Sequence, residues 1–92
     1  MNNAMSRDMA YRTIASIGWP ENRAAFIADC GEYYGKFDLL EAYIDSKSGD
    51  ISLSDRDRTA YLEMLDQILA RFDPKDHAYR YVSAIKLLVS LA

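Results

Sequence analysis

The chain has 92 residues, the size of one domain with a single modest core, so we expect one domain over residues 1–92. Half of its residues are hydrophobic, 27% are charged and the net charge is −3, a balance that is typical of globular proteins and argues against disorder. The longest apolar stretch, residues 84–92, is far shorter than the roughly 20 residues that span a bilayer, and residues 1–8 lack the basic-then-apolar order of a signal peptide.

The first predicted helix covers residues 6–17, and Gly18 stands where a helix C-terminus favours glycine. Trp19 precedes Pro20, which biases its backbone towards an extended conformation. We expect the Trp19 ring to plug the core rather than to form a ligand-binding surface. Apolar side chains at helical spacing support this helix at Ala10, Ile14 and Ile17.

The second predicted helix is long and covers residues 21–46, with Pro20 at its first position and Glu21 in its first turn. Its apolar stripe runs straight through Gly31 and Gly35. A break at Gly31 is the alternative, since a glycine inside a helix costs about 1 kcal/mol relative to alanine. We favour the continuous helix, because a break has no reason to preserve the phase. The stripe consists of Phe26, Cys30, Tyr33, Phe37, Leu40 and Ile44.

The third predicted helix follows the one clear loop, residues 45–54. Ser54 is followed three residues later by Asp57, which is typical of a capped helix start. Apolar residues in helical register continue from there to about Phe72, where we expect the helix to end.

The fourth predicted helix begins with Asp73 as its N-cap, Pro74 at its first position and Asp76 in its first turn. It is the most apolar of the four, so we expect it to pack deeply in the core or to bury a face in a partner. The pattern as a whole predicts an all-α protein, a compact single-domain bundle of four helices, or of five if the second helix splits.

Residue types that carry out catalysis or bind metals are not arranged in any recognisable motif. The loop after the second helix fits no calcium-binding register, because a required carboxylate position falls on Ile44 in one register and the glycine position falls on Asp50 in the other. Cys30 lies in the apolar stripe, and pairing it with His77 would require the fold to bring them together. We therefore expect no enzyme activity, no metal and no cofactor. A single cysteine cannot form an internal disulfide, which favours a reducing, cytoplasmic location.

Charge is distributed unevenly along the chain. Residues 28–57 contain eight acidic and three basic residues, whereas residues 71–92 carry a net charge of +2. The middle of the chain should therefore repel nucleic acid and attract a basic partner. Seven tyrosines also favour a protein interface. The predicted partner-binding residues lie on or near one flank of the second helix: Asp29, Glu32, Tyr34, Asp38, Glu41 and Asp45.

The interpretation we favour is a non-enzymatic protein-binding module, sharpened to a small acidic inhibitor or immunity-type protein that blocks a basic, nucleic-acid-binding site on its partner. It rests on charge and size rather than on resemblance to a known family. A solvated acidic face without a partner is the plainer alternative.

The runner-up is a small nucleic-acid-binding regulator that uses the basic C-terminal helix through Tyr79, Arg80 and Lys86. Homodimerisation is a further alternative, through the last helix or through a face of small residues on the second helix. That face consists of Ala24, Ala28, Gly31, Gly35 and Ala42.

Overall fold

A computed structural model describes residues 5–92, and this part of the chain is an all-α bundle without strands. Residues 1–4 lie outside the described residues. The structure therefore describes only half of residues 1–8, the segment in which we expect no signal peptide. Within the described part, no helix combines the length and the apolar character needed to cross a membrane. The elements in chain order are α1 (Arg7–Ile17), α2 (Arg23–Cys30), one 3₁₀ turn (Gly31–Tyr33), α3 (Tyr34–Ser46), α4 (Asp55–Leu69) and α5 (His77–Leu91).

The starts of α1 and α4 follow from capping residues next to them in the sequence. The Ser6 hydroxyl accepts a hydrogen bond from the Met9 amide at 3.1 Å, and the Ser54 hydroxyl accepts one from the Asp57 amide at the same distance. These bonds satisfy backbone donors that the first turn of a helix leaves unpaired. The predicted start of α4 is therefore confirmed. Gly18 ends α1 with φ +75°, as its position predicts.

The last helix, α5, is the centre of the bundle and lies closely against α1 and α4. Its deep packing is confirmed. Its predicted start was wrong: the Asp73 carboxylate instead accepts from the Lys75 amide within a turn, and Asp76 occupies the N-cap position. Its buried side chains are Ala78, Tyr81, Val82, Ala84, Ile85, Leu88 and Val89.

The prediction of one continuous helix over residues 21–46 was wrong at both its beginning and its middle. Asn22, not Pro20, starts the helix, because its side chain accepts a hydrogen bond from the Ala25 amide at 3.0 Å. The helix then ends at Cys30, and Gly31 adopts φ +56°, a backbone conformation that side chains disfavour. A single 3₁₀ turn leads into α3.

Arg71, just beyond α4, occupies the break between α2 and α3. Its guanidinium donates hydrogen bonds to the carbonyl oxygens of Asp29 at 3.3 Å and Cys30 at 3.1 Å. A Cβ atom on Gly31 would lie 2.8 Å from Arg71 Nη1. The backbone conformation therefore favours glycine here, and a larger residue would also displace the tip of the Arg71 side chain. Arg71 satisfies carbonyls that an uninterrupted helix would have paired with its own amides.

The apolar stripe survives the break, because α2 and α3 still pack on one core. The small-residue face lies on the opposite side, and within residues 5–92 no other helix covers it: all five of its residues are exposed. The stripe residues that are fully buried are Phe26, Cys30, Phe37, Leu40 and Ile44, while Tyr33 is half-buried.

Candidate partner-binding face

One flank of α3 carries four of the six predicted partner-binding residues. Positions four, three and four residues apart share a helix side, and burial of the neighbouring apolar stripe fixes which way this side points. Asp38 and Asp45 are exposed at the surface, whereas Tyr34 is half-buried. The flank residues are Tyr34, Asp38, Glu41 and Asp45.

Glu41 does not belong to the exposed surface, and its prediction as a docking residue was wrong. Its side chain is only 6% exposed, and the Tyr81 hydroxyl donates a 2.5 Å hydrogen bond to its Oε2. Burial raises the pKa of Glu41 to about 7, against the opposing effects of the Tyr81 hydrogen bond and the Arg23 charge. Glu41 follows Leu40 at the edge of the apolar stripe, and this position was the available signal that it could turn inward.

Arg23, at the start of α2, organises the exposed part of the flank. Its guanidinium carbon lies 3.4 Å from the centre of the Trp19 ring, which is a close cation–π contact. The same guanidinium donates a 2.8 Å hydrogen bond to the Tyr34 hydroxyl and lies 3.9 Å from an Asp38 carboxylate oxygen. Three segments of the chain thus meet at the Arg23 guanidinium. This contact was not predicted from the sequence, because the helix start was placed at Pro20.

Trp19 is not the core plug that its position predicts. The ring is 38% exposed, with its inner side 5.8 Å from the Phe26 ring and 5.3 Å from the Tyr81 ring, centre to centre. Arg23 stacks on the same indole. Trp19 therefore joins the core to the surface cluster.

The other two predicted acidic residues, Asp29 and Glu32, lie at the break. Both are exposed, but Arg71 forms an ion pair with Glu32 and its guanidinium lies 5.0 Å from the Tyr33 ring centre. Within residues 5–92, neither Asp29 nor Asp45 forms an ion pair. The negative charge of this side of the molecule is therefore partly neutralised by ion pairs at Glu32 and Asp38, whereas the carboxylates of Asp29 and Asp45 have none within the described residues.

The basic residues of α5 are not gathered into one surface. Tyr79 and Lys86 are two turns apart on one side, whereas Arg80 projects about 100° away from Tyr79. The Lys86 amino group is engaged with Asp66 at 2.5 Å. Arg80 is exposed and Tyr79 is half-buried. The arrangement offers little continuous positive charge for nucleic acid.

The two residues considered for nucleophilic chemistry each have a structural role. Cys30 is fully buried, and its pKa is raised to about 11 by that burial first and by the nearby Glu41 and Asp29 carboxylates second. A thiol with so high a pKa is a poor nucleophile, because the thiolate is the reactive form. His77 Nε2 lies 2.9 Å from the Gly18 carbonyl oxygen, which ties the start of α5 to the end of α1. Among residues 5–92, no group of three or more His, Cys, Asp or Glu is placed to hold a metal.

A groove of about 420 Å³ lies beside α4, and none of its lining residues belongs to the Arg23 cluster. Its lining contains no cysteine, serine, threonine or histidine. The residues that line it are Tyr33, Lys36, Ala60, Glu63, Met64 and Gln67.

Comparison with known proteins supplies no relative. No protein-family model, curated protein or solved structure gives a significant match to the chain. Function therefore has to be argued from the charges and contacts of the molecule itself.

Proposed function

We propose that this protein is a non-enzymatic protein-binding module that docks on a basic surface of another protein. The docking face consists of Trp19, Arg23, Tyr34, Asp38 and Asp45. The observation that carries the proposal is the Arg23 cluster, in which an exposed arginine stacks on an exposed tryptophan and donates a hydrogen bond to a tyrosine.

The residue types of this face are those that dominate binding energy at protein interfaces. Tryptophan, tyrosine and arginine are enriched among the few residues whose truncation costs more than about 2 kcal/mol of binding free energy. Here their side chains are held in place by contacts within the chain. A face that is ordered before binding loses less conformational entropy when the partner arrives.

Charge indicates the chemistry of the partner. Asp45 has no ion-pair partner within the described part of the chain, and Asp38 shares Arg23 with two other residues. Both carboxylates are available to lysine or arginine side chains at the rim of an interface, where they speed association and select against acidic partners.

The finer form of the proposal is a small acidic inhibitor or immunity-type protein that covers a nucleic-acid-binding site. Such sites are extended basic surfaces, because they neutralise phosphates. A typical interface buries about 800 Å² of each partner. This chain exposes 5650 Å², so one face of it is large enough to block such a site. A single buried cysteine fits the cytoplasmic location that goes with this proposal.

Affinity capture from the native host tests the proposal with two matched variants. Asp38→Lys/Asp45→Lys reverses two charges on the docking face, and Asp57→Lys/Glu63→Lys reverses two exposed charges on α4. We expect the parent protein and the α4 variant to retain the same basic partner, and the docking-face variant to lose it. Equal retention by the docking-face variant would rule out this face as the interface.

The purified partner then tests the finer proposal. Its binding to nucleic acid should fall when the parent protein is added and should be unaffected by the docking-face variant. A partner that binds nucleic acid equally well in both cases would contradict inhibition while leaving the docking face intact. Direct binding of the chain to random DNA at low salt would instead favour the regulator that uses α5.

A further inference from the structure

A carboxyl group is buried where α3 meets α5, and the docking function does not explain it. Tyr81 on α5 is buried too, and its hydroxyl donates to Glu41 Oε2. Glu41 Oε1 is shielded from solvent and has no hydrogen-bond partner within the described part of the chain. Buried polar atoms almost always have a partner, and a buried carboxylate that lacks one is strongly disfavoured in its charged form.

The groups around Glu41 do not compensate a negative charge well. On α3 itself, Asp38 and Asp45 lie on the same flank and oppose ionisation of the carboxyl. From α2, Arg23 favours ionisation, but its guanidinium is engaged with Trp19, Tyr34 and Asp38.

Two further titratable groups face this carboxyl. Cys30 on α2 is a buried thiol whose own pKa is raised, so it carries no charge that could help. Tyr81 on α5 supplies one hydrogen bond, which favours the charged form of Glu41 but reaches only Oε2, and the pKa of Tyr81 itself is raised by burial and by Glu41. Glu41 thus sits in a cluster of one cation, two further carboxylates and two neutral groups.

We propose that the contact between Glu41 and Tyr81 is a pH-sensitive latch, which holds α3 against α5 while the carboxyl is protonated and loosens when the carboxyl ionises. An ionised Glu41 can be solvated only by leaving the interface. Tyr81 would then lose its hydrogen bond, and its ring also contacts Trp19 and Phe26, at 5.3 and 6.3 Å between centres. The latch therefore connects the protonation of one buried group to the packing beneath the docking face.

The sign of the pH dependence follows from the pKa of Glu41 in the two states. The pKa is raised from an ordinary value of 4.5 to about 7 in the folded protein. Between these values the unfolded chain has lost its proton while the folded chain keeps it. Stability therefore falls as the pH rises towards 7 and levels off above it.

Unfolding by urea at pH 5.5 and pH 8.0 tests the latch, with the fluorescence of Trp19, the chain's one tryptophan, as the signal. For the parent protein we expect the folded-to-unfolded ratio to fall by about 30-fold between the two pH values. For Glu41→Gln, which cannot ionise, we expect a change of less than about threefold. Glu63→Gln removes an exposed carboxyl on α4 and should keep the fall of the parent protein.

Three results would overturn the latch. The first is a folded-to-unfolded ratio of the parent protein that does not change with pH, and the second is a fall in that ratio in Glu41→Gln as large as the parent's. The third is loss of the fall in His77→Gln, which would assign the pH dependence to the imidazole. If Glu41→Gln does not fold, ¹³C NMR of the Glu41 carboxyl in the parent protein decides. A titration midpoint near 7 supports the latch, and one near 4.5 contradicts it.

Discussion

The bundle has two regions that are built differently. Helices α1, α4 and α5 form the first region, in which α1 and α4 start at serine caps next to them in the sequence, Ser6 and Ser54. The second region is the α2–α3 arm, which is interrupted at Gly31. Arg71, some forty residues further along the chain, fills this break. The arm also buries the Glu41 carboxyl against α5.

The difference shows where long-range contacts take over from local signals. In the first region, the starts of α1 and α4 are satisfied by side chains within three residues, so the local sequence is sufficient there, whereas Asp76 makes no side-chain cap bond at the start of α5. In the arm, carbonyl groups at the end of α2 depend on a side chain from beyond α4. The arm also carries most of the proposed docking face, so the geometry of that face depends on contacts that only the complete fold provides.

The largest expected effect tests whether the arm is part of the common core. Phe37 on α3 is fully buried, and Phe37→Ala should lower the free energy of unfolding by about 3–5 kcal/mol. Leu39→Ala, on the exposed side of the same helix, should change it by less than about 0.5 kcal/mol. Far-UV circular dichroism and Trp19 fluorescence should report one shared transition in urea. Two separate transitions would show that the arm unfolds on its own.

A smaller effect is expected at the filled break. Arg71→Gln removes the ion pair to Glu32 and the donors to two carbonyl groups, and should lower the free energy of unfolding by about 1–3 kcal/mol. Arg12→Gln removes an exposed pair with Asp8 inside α1 and should cost at most about 0.5 kcal/mol. Thermal denaturation of both variants measures the contrast. Equal losses would mean that the break does not depend on Arg71.

The smallest effect concerns the surface cluster. Arg23→Lys keeps the charge but loses the planar stack on Trp19, and should lower stability by about 0.5–1 kcal/mol. The Trp19 fluorescence spectrum should change with it. Arg56→Lys, exposed on α4, is the matched control and should change neither quantity. An unchanged Trp19 spectrum in Arg23→Lys would contradict the ordered cluster.

The fold class and the inward-facing side chains could be predicted from the sequence, because helical periodicity depends only on spacing. The cap at Ser54 could be predicted for the same local reason. The break at Gly31 could be named only as the alternative to a continuous helix, since the phase of the apolar stripe is nearly the same on both sides of it. Arg71, which occupies the break, comes from beyond α4, and its position is known only from the fold.

The candidate site was predictable only in part. Asp38 and Asp45 share a flank of α3 whether or not the helix is continuous, so their exposure together could be expected. The position of Glu41 at the edge of the apolar stripe shows only that it could turn inward, and its hydrogen bond from Tyr81 on another helix is not revealed by spacing along one helix. Arg23 and Trp19 were missed because the true start of α2 depends on the Asn22 cap rather than on Pro20.

The central claim is that the α2–α3 arm is interrupted at Gly31 by a contact from beyond α4, and a pair of glycine variants tests it most directly. Gly35 lies in ordinary helical backbone with open space around its Cβ position, so Gly35→Ala should raise the free energy of unfolding by about 0.5–1 kcal/mol. Gly31→Ala meets both a strained backbone and the Arg71 guanidinium, and should lower it by about 1–3 kcal/mol. Urea denaturation of both variants under the same conditions should therefore give changes of opposite sign. Stabilisation by both would contradict the account, because it is what a continuous helix through residues 21–46 predicts.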